Sequence, residues 1–196
     1  GLHENVAELD YESMFPNIII RENISYETVT PYHVDKSRRG FLGEFTERFL
    51  KRRIHFKHLR KSFPRESQEW LWCEQRQLAL KMVLVCIYGF SGCFANRFNN
   101  VAAYEEINRE AREKLVETQN IAKREGFEVV YIHTDSIFMK REDATQQDYE
   151  ELAGTIQSEV GLPISLDHHY KFLVFLPQKT IPGWAAASRY FGKLTN

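Results

Sequence analysis

The stretch Tyr131–Lys140, YIHTDSIFMK, restricts what this chain can fold into more than any other. Val129–Ile132 and Ile137–Met139 are apolar runs with β-branched and aromatic residues, and His133-Thr134-Asp135-Ser136 between them has turn chemistry. The pattern predicts a β-hairpin with Asp135 at its tip. A second strand-like stretch, Asn5–Tyr11 (NVAELDY), alternates Val6 and Leu9 with polar neighbours and ends in Asp10, just before the helix-starting run Glu12-Ser13-Met14-Phe15-Pro16. Two strand ends that each carry a carboxylate can share divalent cations, which take oxygen donors. A lone turn aspartate needs no such role, because its side chain hydrogen-bonds the local backbone.

The chain has 196 residues, 43% of them hydrophobic, enough for one sizeable domain or a domain with a large excursion, and too apolar for disorder. Cys73, Cys86 and Cys93 are odd in number, have no CxxC spacing and sit in or beside helix-like sequence, as small buried hydrophobes of a reducing compartment do. No apolar run approaches the roughly 20 residues of a membrane span, and Gly1-Leu2-His3-Glu4-Asn5 does not read as a signal peptide. The expectation is an intracellular protein, cytoplasmic and nucleoid-associated, not secreted and without a membrane partner. Net charge is −1, yet Asp35–Arg65 holds eleven Lys or Arg against three acids, so that segment is +8 and the remainder −9. Positive potential concentrated on one element can attract a polyanion without making the whole protein basic.

Along the chain, Ser13 and Pro16 suit the start of a short helix after Asp10. Asn23–Gly40 lacks a period and reads as a loop. From Gly43 to about Lys61, Phe45, Phe49, Leu50, Ile54, Phe56 and Leu59 recur at helical spacing between basic residues. Ser62–Ser67 breaks this helix, and a second runs from about Gln68 to Tyr88, with Gly89 as its end. The pair predicts an antiparallel helical hairpin. An amphipathic helix over Val101–Glu125, closed by Gly126, leads into the β-hairpin; another covers Gln146–Val160. Strands follow at Ile164–Leu166, Tyr170–Leu176 and, after a Pro/Gly-containing interruption, Ala186–Phe191. The fold class is α+β: an antiparallel sheet backed by helices, with a two-helix hairpin standing out from it.

With these segments placed, the sequence resembles the palm and fingers of family B DNA polymerases, in an archaeal-like form with divergent motifs, over nearly all of its length. LDYESMFPNIII resembles the first palm motif, D-x-x-S-L-Y-P-S-I-I; LALKMVLVCIYGFSG the fingers motif, K-x-x-x-N-S-x-Y-G; and YIHTDSIFMK the second palm motif, Y-x-D-T-D-S. FLGEFTERFLKRRIHFK resembles the first fingers helix. The resemblance divides the chain into palm (1–40), fingers (41–92) and palm again (93–196, reaching the palm–thumb border). It implies a DNA-templated DNA polymerase that joins a dNTP to a primer 3′-hydroxyl by a two-metal mechanism, in replication or repair.

By the same resemblance Asp10 and Asp135 are the catalytic carboxylates and, with the Tyr11 carbonyl, the ligands of two Mg²⁺ ions. In-line displacement builds negative charge on the attacking and leaving oxygens, which two cations roughly 4 Å apart stabilise. The amides of Ser13 and Met14 at a helix start suit the triphosphate. Phe15 takes the position beneath the sugar, Tyr88 the one behind the nascent base pair, and Arg53, Lys57 and Lys81 are the phosphate cations of the hairpin. Gly89, Arg189 and Tyr190 are the expected DNA contacts.

Departures from the pattern at four positions bear on the chemistry. His133 stands where the second palm motif has its first aspartate, removing a negative charge near the cations; a unit pair 4 Å apart at an effective dielectric near 20 interacts by about 4 kcal/mol. Imidazole suits magnesium poorly and manganese better, so weak or manganese-preferring activity is expected. Val85-Cys86 replace the fingers Asn-Ser pair, and Ser188 replaces the lysine of the K-x-Y-x-G element, of which Arg189, Tyr190 and Gly192 remain. The chain stops where a thumb would begin, and nothing resembling exonuclease motifs precedes Gly1. Implied partners are therefore primer-template DNA, dNTP, and thumb and exonuclease regions or other subunits. The competing reading is a catalytically impaired paralogue that binds or scaffolds DNA. An unrelated metal-dependent phosphotransferase would leave the fingers-like hairpin without a purpose.

Overall fold

In the computed structural model, residues 1–179 and 185–195 are described. Their element order is β1 (Leu2–Tyr11), α1 (Met14–Arg21), α2 (Phe41–Arg60), α3 (Gln68–Ser91), α4 (Val101–Arg124), β2 (Glu128–His133), β3 (Ser136–Lys140), α5 (Gln146–Val160), β4 (Ile164–Pro177) and β5 (Ala185–Leu194). The fold is α+β, as the residue pattern predicts. It divides into two compact units, Gly1–Met14 with Arg112–Asn196, and Phe15–Ala111.

The first unit holds one antiparallel sheet in the order β2-β3-β1-β4-β5. Alternation divides the central strands. Ala7, Leu9 and Tyr11 of β1 share a face with Ile137 and Met139 of β3, all buried. Helices cover this face: the Tyr11 hydroxyl bonds Thr118 of α4, and α5 turns Tyr149, Leu152, Ile156 and Val160 inward. Each such side chain taken fully from water contributes about 1.5–3 kcal/mol. α5 itself is closed at both ends, by a Thr145–Asp148 capping box and by Gly161 in the left-handed conformation, φ 76°. Asn5, at φ 52°, ties three segments together: its amide donates to the carbonyls of Arg141 and Ala144, and its own carbonyl accepts from Tyr149.

On the opposite face Val6, Phe138, Leu173 and Phe175 form a second cluster with Tyr131, Tyr170 and Tyr190 packed against it. Ser188 of β5 meets β2: its amide donates to the Tyr131 hydroxyl (3.2 Å) and its Oγ bonds His133 Nε2 (2.8 Å). These strands are the two ends of the sheet order, so the sheet curls until its edges touch. Gly192 allows the close β4–β5 approach, since a Cβ there would lie 2.4 Å from the Phe172 carbonyl oxygen.

The expected strands Ile164–Leu166 and Tyr170–Leu176 are one continuous β4. The polar run Asp167-His168-His169 reads as a break, but β1 supplies pairing on either side and a bulge absorbs the irregular register. The interruption before β5 falls partly on residues 180–184, outside the described residues.

In the second unit α2 and α3 form the antiparallel hairpin. Ser67 caps α3 by accepting from the Trp70 amide at 3.1 Å. The tip is held by the Arg60–Glu74 ion pair, by Arg60 over Trp70 and by Arg76 over Trp72. α3 runs through Gly89 and stops at Gly92. At Gly92 a Cβ would come within 2.7 Å of the Tyr104 ring, whereas at Gly89 nothing lies within 4 Å. Gly92, unlike Gly89, thus stands where no side chain fits. Asn23 organises the loop before α2, donating to the carbonyls of Asp35 and Arg38 and accepting from the Gly40 amide. Among the described residues, no helix is long and apolar enough to cross a membrane.

Candidate active site

The register of β1 and β3 sets Asp10 opposite Ser136, one residue after Asp135. Thr134 and Asp135 are the two loop residues of the β2–β3 hairpin, and Thr134 takes φ 56°, the positive value that primed hairpin turns need at their first central residue. The Tyr11 amide donates to the Asp135 carbonyl at 3.1 Å, and Ser136 Oγ donates to Asp10 Oδ1 at 2.7 Å. Two carboxylates 125 positions apart in the chain are thus carried on adjoining strand ends. Burial pushes the Asp10 pKa up to about 6; the Ser136 hydrogen bond opposes the rise, and the negative charges of Asp135, Asp167 and Glu8 add to it.

Tyr11 buries its ring, and that burial pushes its hydroxyl up to about 12. Ser13, at φ 56°, links β1 to α1, and Met14 opens the helix with a buried side chain. In the second unit Phe15 stacks on Tyr88 (centroids 4.4 Å apart, planes 8° apart), and Tyr88 stacks on Tyr104 at 5.1 Å. Tyr88 also donates to Asn108 Oδ1 at 2.8 Å; burial raises its pKa to about 12, with Tyr104 adding to the rise. Tyr104 carries no motif, and its spacing in an amphipathic helix gave no signal of this stack.

Arg53 and Lys57 lie one turn apart on α2, both half-buried, and Lys81 is exposed on α3. Arg60 contacts Glu74, and seven residues further from the tip along each helix stand Arg53 and Lys81. Antiparallel helices of equal rise therefore hold these two cations at one level of the hairpin. Gly89 lies within α3 and is exposed. Arg189 is exposed on β5, while Tyr190 packs its ring against Phe138 and Phe175.

A protein-family model, DNA polymerase family B, matches residues 1–38 and 30–179. The chain is 30% identical over 194 residues to the DNA polymerase of Archaeoglobus fulgidus, covering 93% of this chain and 25% of that protein. It belongs to DNA polymerase family B. DNA polymerase 2 of Aeropyrum pernix is 29% identical over 91% of this chain and 24% of its own length. The DNA polymerase alpha catalytic subunit of Xenopus laevis is 27% identical over 87% and 13%. The family B DNA polymerase structure from Pyrobaculum calidifontis superposes with a TM-score of 0.76 at 27% identity, covering all of this chain and 26% of that one. The chain spans about a quarter of the length of the archaeal relatives.

Within this family B chain the donors at the strand ends suit a divalent cation. Asp10 and Asp135 offer carboxylate oxygens, and the upward shift of Asp10, caused first by burial and then by the neighbouring negative charges, is one that a dication would relieve. His133 spends its Nε2 on Ser188, and both are positions that the sequence leads one to expect as departures from the family motifs. Sequence reasoning passed over three further groups: Glu8, Asp167 and His168, whose ligand atoms all lie within 4.8 Å of one another. Glu8 precedes Asp10 by two positions, the spacing that puts both on one strand face, and this was the available signal. Asp167 and His168 could not be assigned to it before the pairing of β4 was known.

Proposed function

We propose that this chain is the nucleotidyl-transfer core of a DNA-templated DNA polymerase, joining a dNTP to a primer 3′-hydroxyl, with residues 1–40 and 93–196 as palm and 41–92 as fingers. The observation that carries the reading is the hydrogen-bonded junction of Asp10, Ser136 and the Asp135 turn at adjoining strand ends. Asp10, Asp135 and the Tyr11 carbonyl are the proposed ligands of two divalent cations, which when bound would neutralise charge on the attacking and leaving oxygens. Ser136 fixes the orientation of Asp10, and the Tyr11 amide fixes the turn that carries Asp135.

Arg53, Lys57 and Lys81 are the proposed triphosphate cations, with the amides of Ser13 and Met14 at the start of α1. Phe15 and Tyr88 form a flat aromatic surface suited to the sugar and base of the incoming nucleotide. Gly89, Arg189 and Tyr190 are proposed to face DNA, with Tyr190 acting through its place in the aromatic cluster. Because an imidazole bonded to Ser188 stands where the motif has a carboxylate, we assign magnesium a weaker and manganese a stronger role than a two-aspartate motif would have. That His133–Ser188 pair is also what favours the second reading, a DNA-binding paralogue with impaired chemistry.

Single-nucleotide primer extension by the intact protein, with Mg²⁺ and Mn²⁺ compared, tests the proposal. Asp135→Ala is expected to lower the rate at least about a thousandfold in both metals. Extension that survives the substitution overturns the assignment of Asp135; no extension by the unmodified protein in either metal selects the paralogue.

A further inference from the structure

β4 opposes β1 with His168 across from Glu8 and Leu166 across from Leu9, which leaves Asp167 as an extra residue with no partner. In such a bulge two successive side chains answer to one on the neighbouring strand, so alternation no longer sends Asp167 and His168 to opposite faces. Both reach Glu8. His168 Nδ1 lies 3.3 Å from Glu8 Oε2 and 3.0 Å from Asp167 Oδ2.

These separations have a natural scale. With metal–ligand bonds of about 2.1 Å, neighbouring donor atoms stand about 3.0 Å apart in an octahedron and about 3.4 Å apart in a tetrahedron. Contact with a charged histidine would instead show as hydrogen bonds along the ring N–H. Nδ1 has no hydrogen-bond partner, so its lines to the two carboxylates lack hydrogen-bond geometry. Glu8 Oε2 also accepts from the Tyr170 hydroxyl at 3.0 Å, the kind of outer contact that holds a ligating carboxylate in place. Glu8 is the deep anchor, its side chain 11% exposed, while Asp167 (57%) and His168 (42%) leave a way in from solvent.

We propose that Glu8, Asp167 and His168 form a binding site for one divalent transition-metal ion, of the zinc or manganese class, with water completing the coordination. Two carboxylates balance the charge of the ion, and the imidazole nitrogen selects against magnesium and calcium, which take oxygen. The site is separate from the proposed pair Asp10 and Asp135, and it stands whether or not the chain transfers nucleotides. Glu8 and Asp10 share a strand face two residues apart, so an ion here would also offset part of the negative charge around Asp10.

The test is a titration of the chain with Co²⁺, read by its visible absorption, and with Zn²⁺ in competition with a chromophoric chelator. In the Asp10→Asn/Asp135→Asn double variant, which removes the other proposed ligands, one ion per chain is expected, bound at least tenfold more weakly when His168→Gln or Glu8→Gln is added. Binding that is unaffected by adding His168→Gln, or already lost in the double variant, overturns the proposal. Because Glu8→Gln can disturb folding, the ¹⁵N resonances of the histidine rings are followed in the unmodified chain. A Zn²⁺-induced shift of His168 Nδ1 supports the site, and an unchanged Nδ1 overturns it.

Discussion

At the acidic end of the sheet, burial first, and then the negative charges of Asp135, Asp167 and Glu8, drive the Asp10 pKa up to about 6. Along the helical hairpin, charges of both signs are interleaved: Arg39 and Lys51 meet Glu47, Arg48 meets Glu44, and Arg60 meets Glu74. The difference follows from how each element fixes its neighbours. Strand register imposes juxtapositions through backbone hydrogen bonds, whatever charge the side chains carry. A helix surface lets long side chains turn toward partners or water, so its charges relax at little cost. Like charges kept together against their repulsion mark the place where a cation belongs; a solvated basic helix can present charge without strain.

The largest test of this contrast falls on the hairpin. Arg53→Ala and Lys81→Ala each remove a cation proposed to hold phosphate, and each is expected to lower kcat/KM for dNTP in primer extension by roughly 30-fold, as the loss of a charge-assisted hydrogen bond does. Unchanged kcat/KM in both variants would reduce the basic helix to a solvated surface. A smaller effect is expected at the sheet. His133→Asp restores a carboxylate beside the Asp135 turn and should shift the magnesium-to-manganese rate ratio toward magnesium by about tenfold. A ratio that does not move would detach His133 from metal choice.

The smallest expected effect separates strain from function. The folded chain holds the Asp10 proton to higher pH than the unfolded chain, whose carboxylate titrates near its ordinary value of 3.8. The group therefore costs nothing below both values, begins to destabilise the fold as pH rises past 3.8, and does so fully above about 6. Without added metal, Asp10→Asn should raise Tm by about 3 °C at pH 7.5 and leave it unchanged at pH 3.5. Lys81→Ala, on an exposed helix position, should leave Tm unchanged at both. A fall in Tm for Asp10→Asn at pH 7.5 would mean that the carboxylate is needed for packing and would remove the contrast.

Much of this architecture could be read from local pattern. The β-hairpin tip at Asp135, the bounds of α5 and the two helices of the hairpin all follow from short-range chemistry: turn residues and apolar spacing. Reading failed where a long-range partner decided the outcome. Gly89 looked like a helix end, but the ring of Tyr104 makes Gly92 the residue that cannot carry a side chain. Asp167-His168-His169 looked like a gap between strands, but β1 bridges it. Ser188 looked like a lost lysine, and its bond to His133 appears only because the sheet closes on itself.

The identity of the elements, the motif order and the segregation of positive charge onto one helical hairpin were determined by the sequence alone, because each depends on residues within a few turns of one another. Which carboxylates share an environment was decided by the tertiary structure. Strand pairing spans the chain from Asp10 to Asp135 and Asp167, and the bulge at Asp167 turns two neighbouring side chains toward Glu8. Periodicity assigns a residue to a face; only register and curl say what stands beside it.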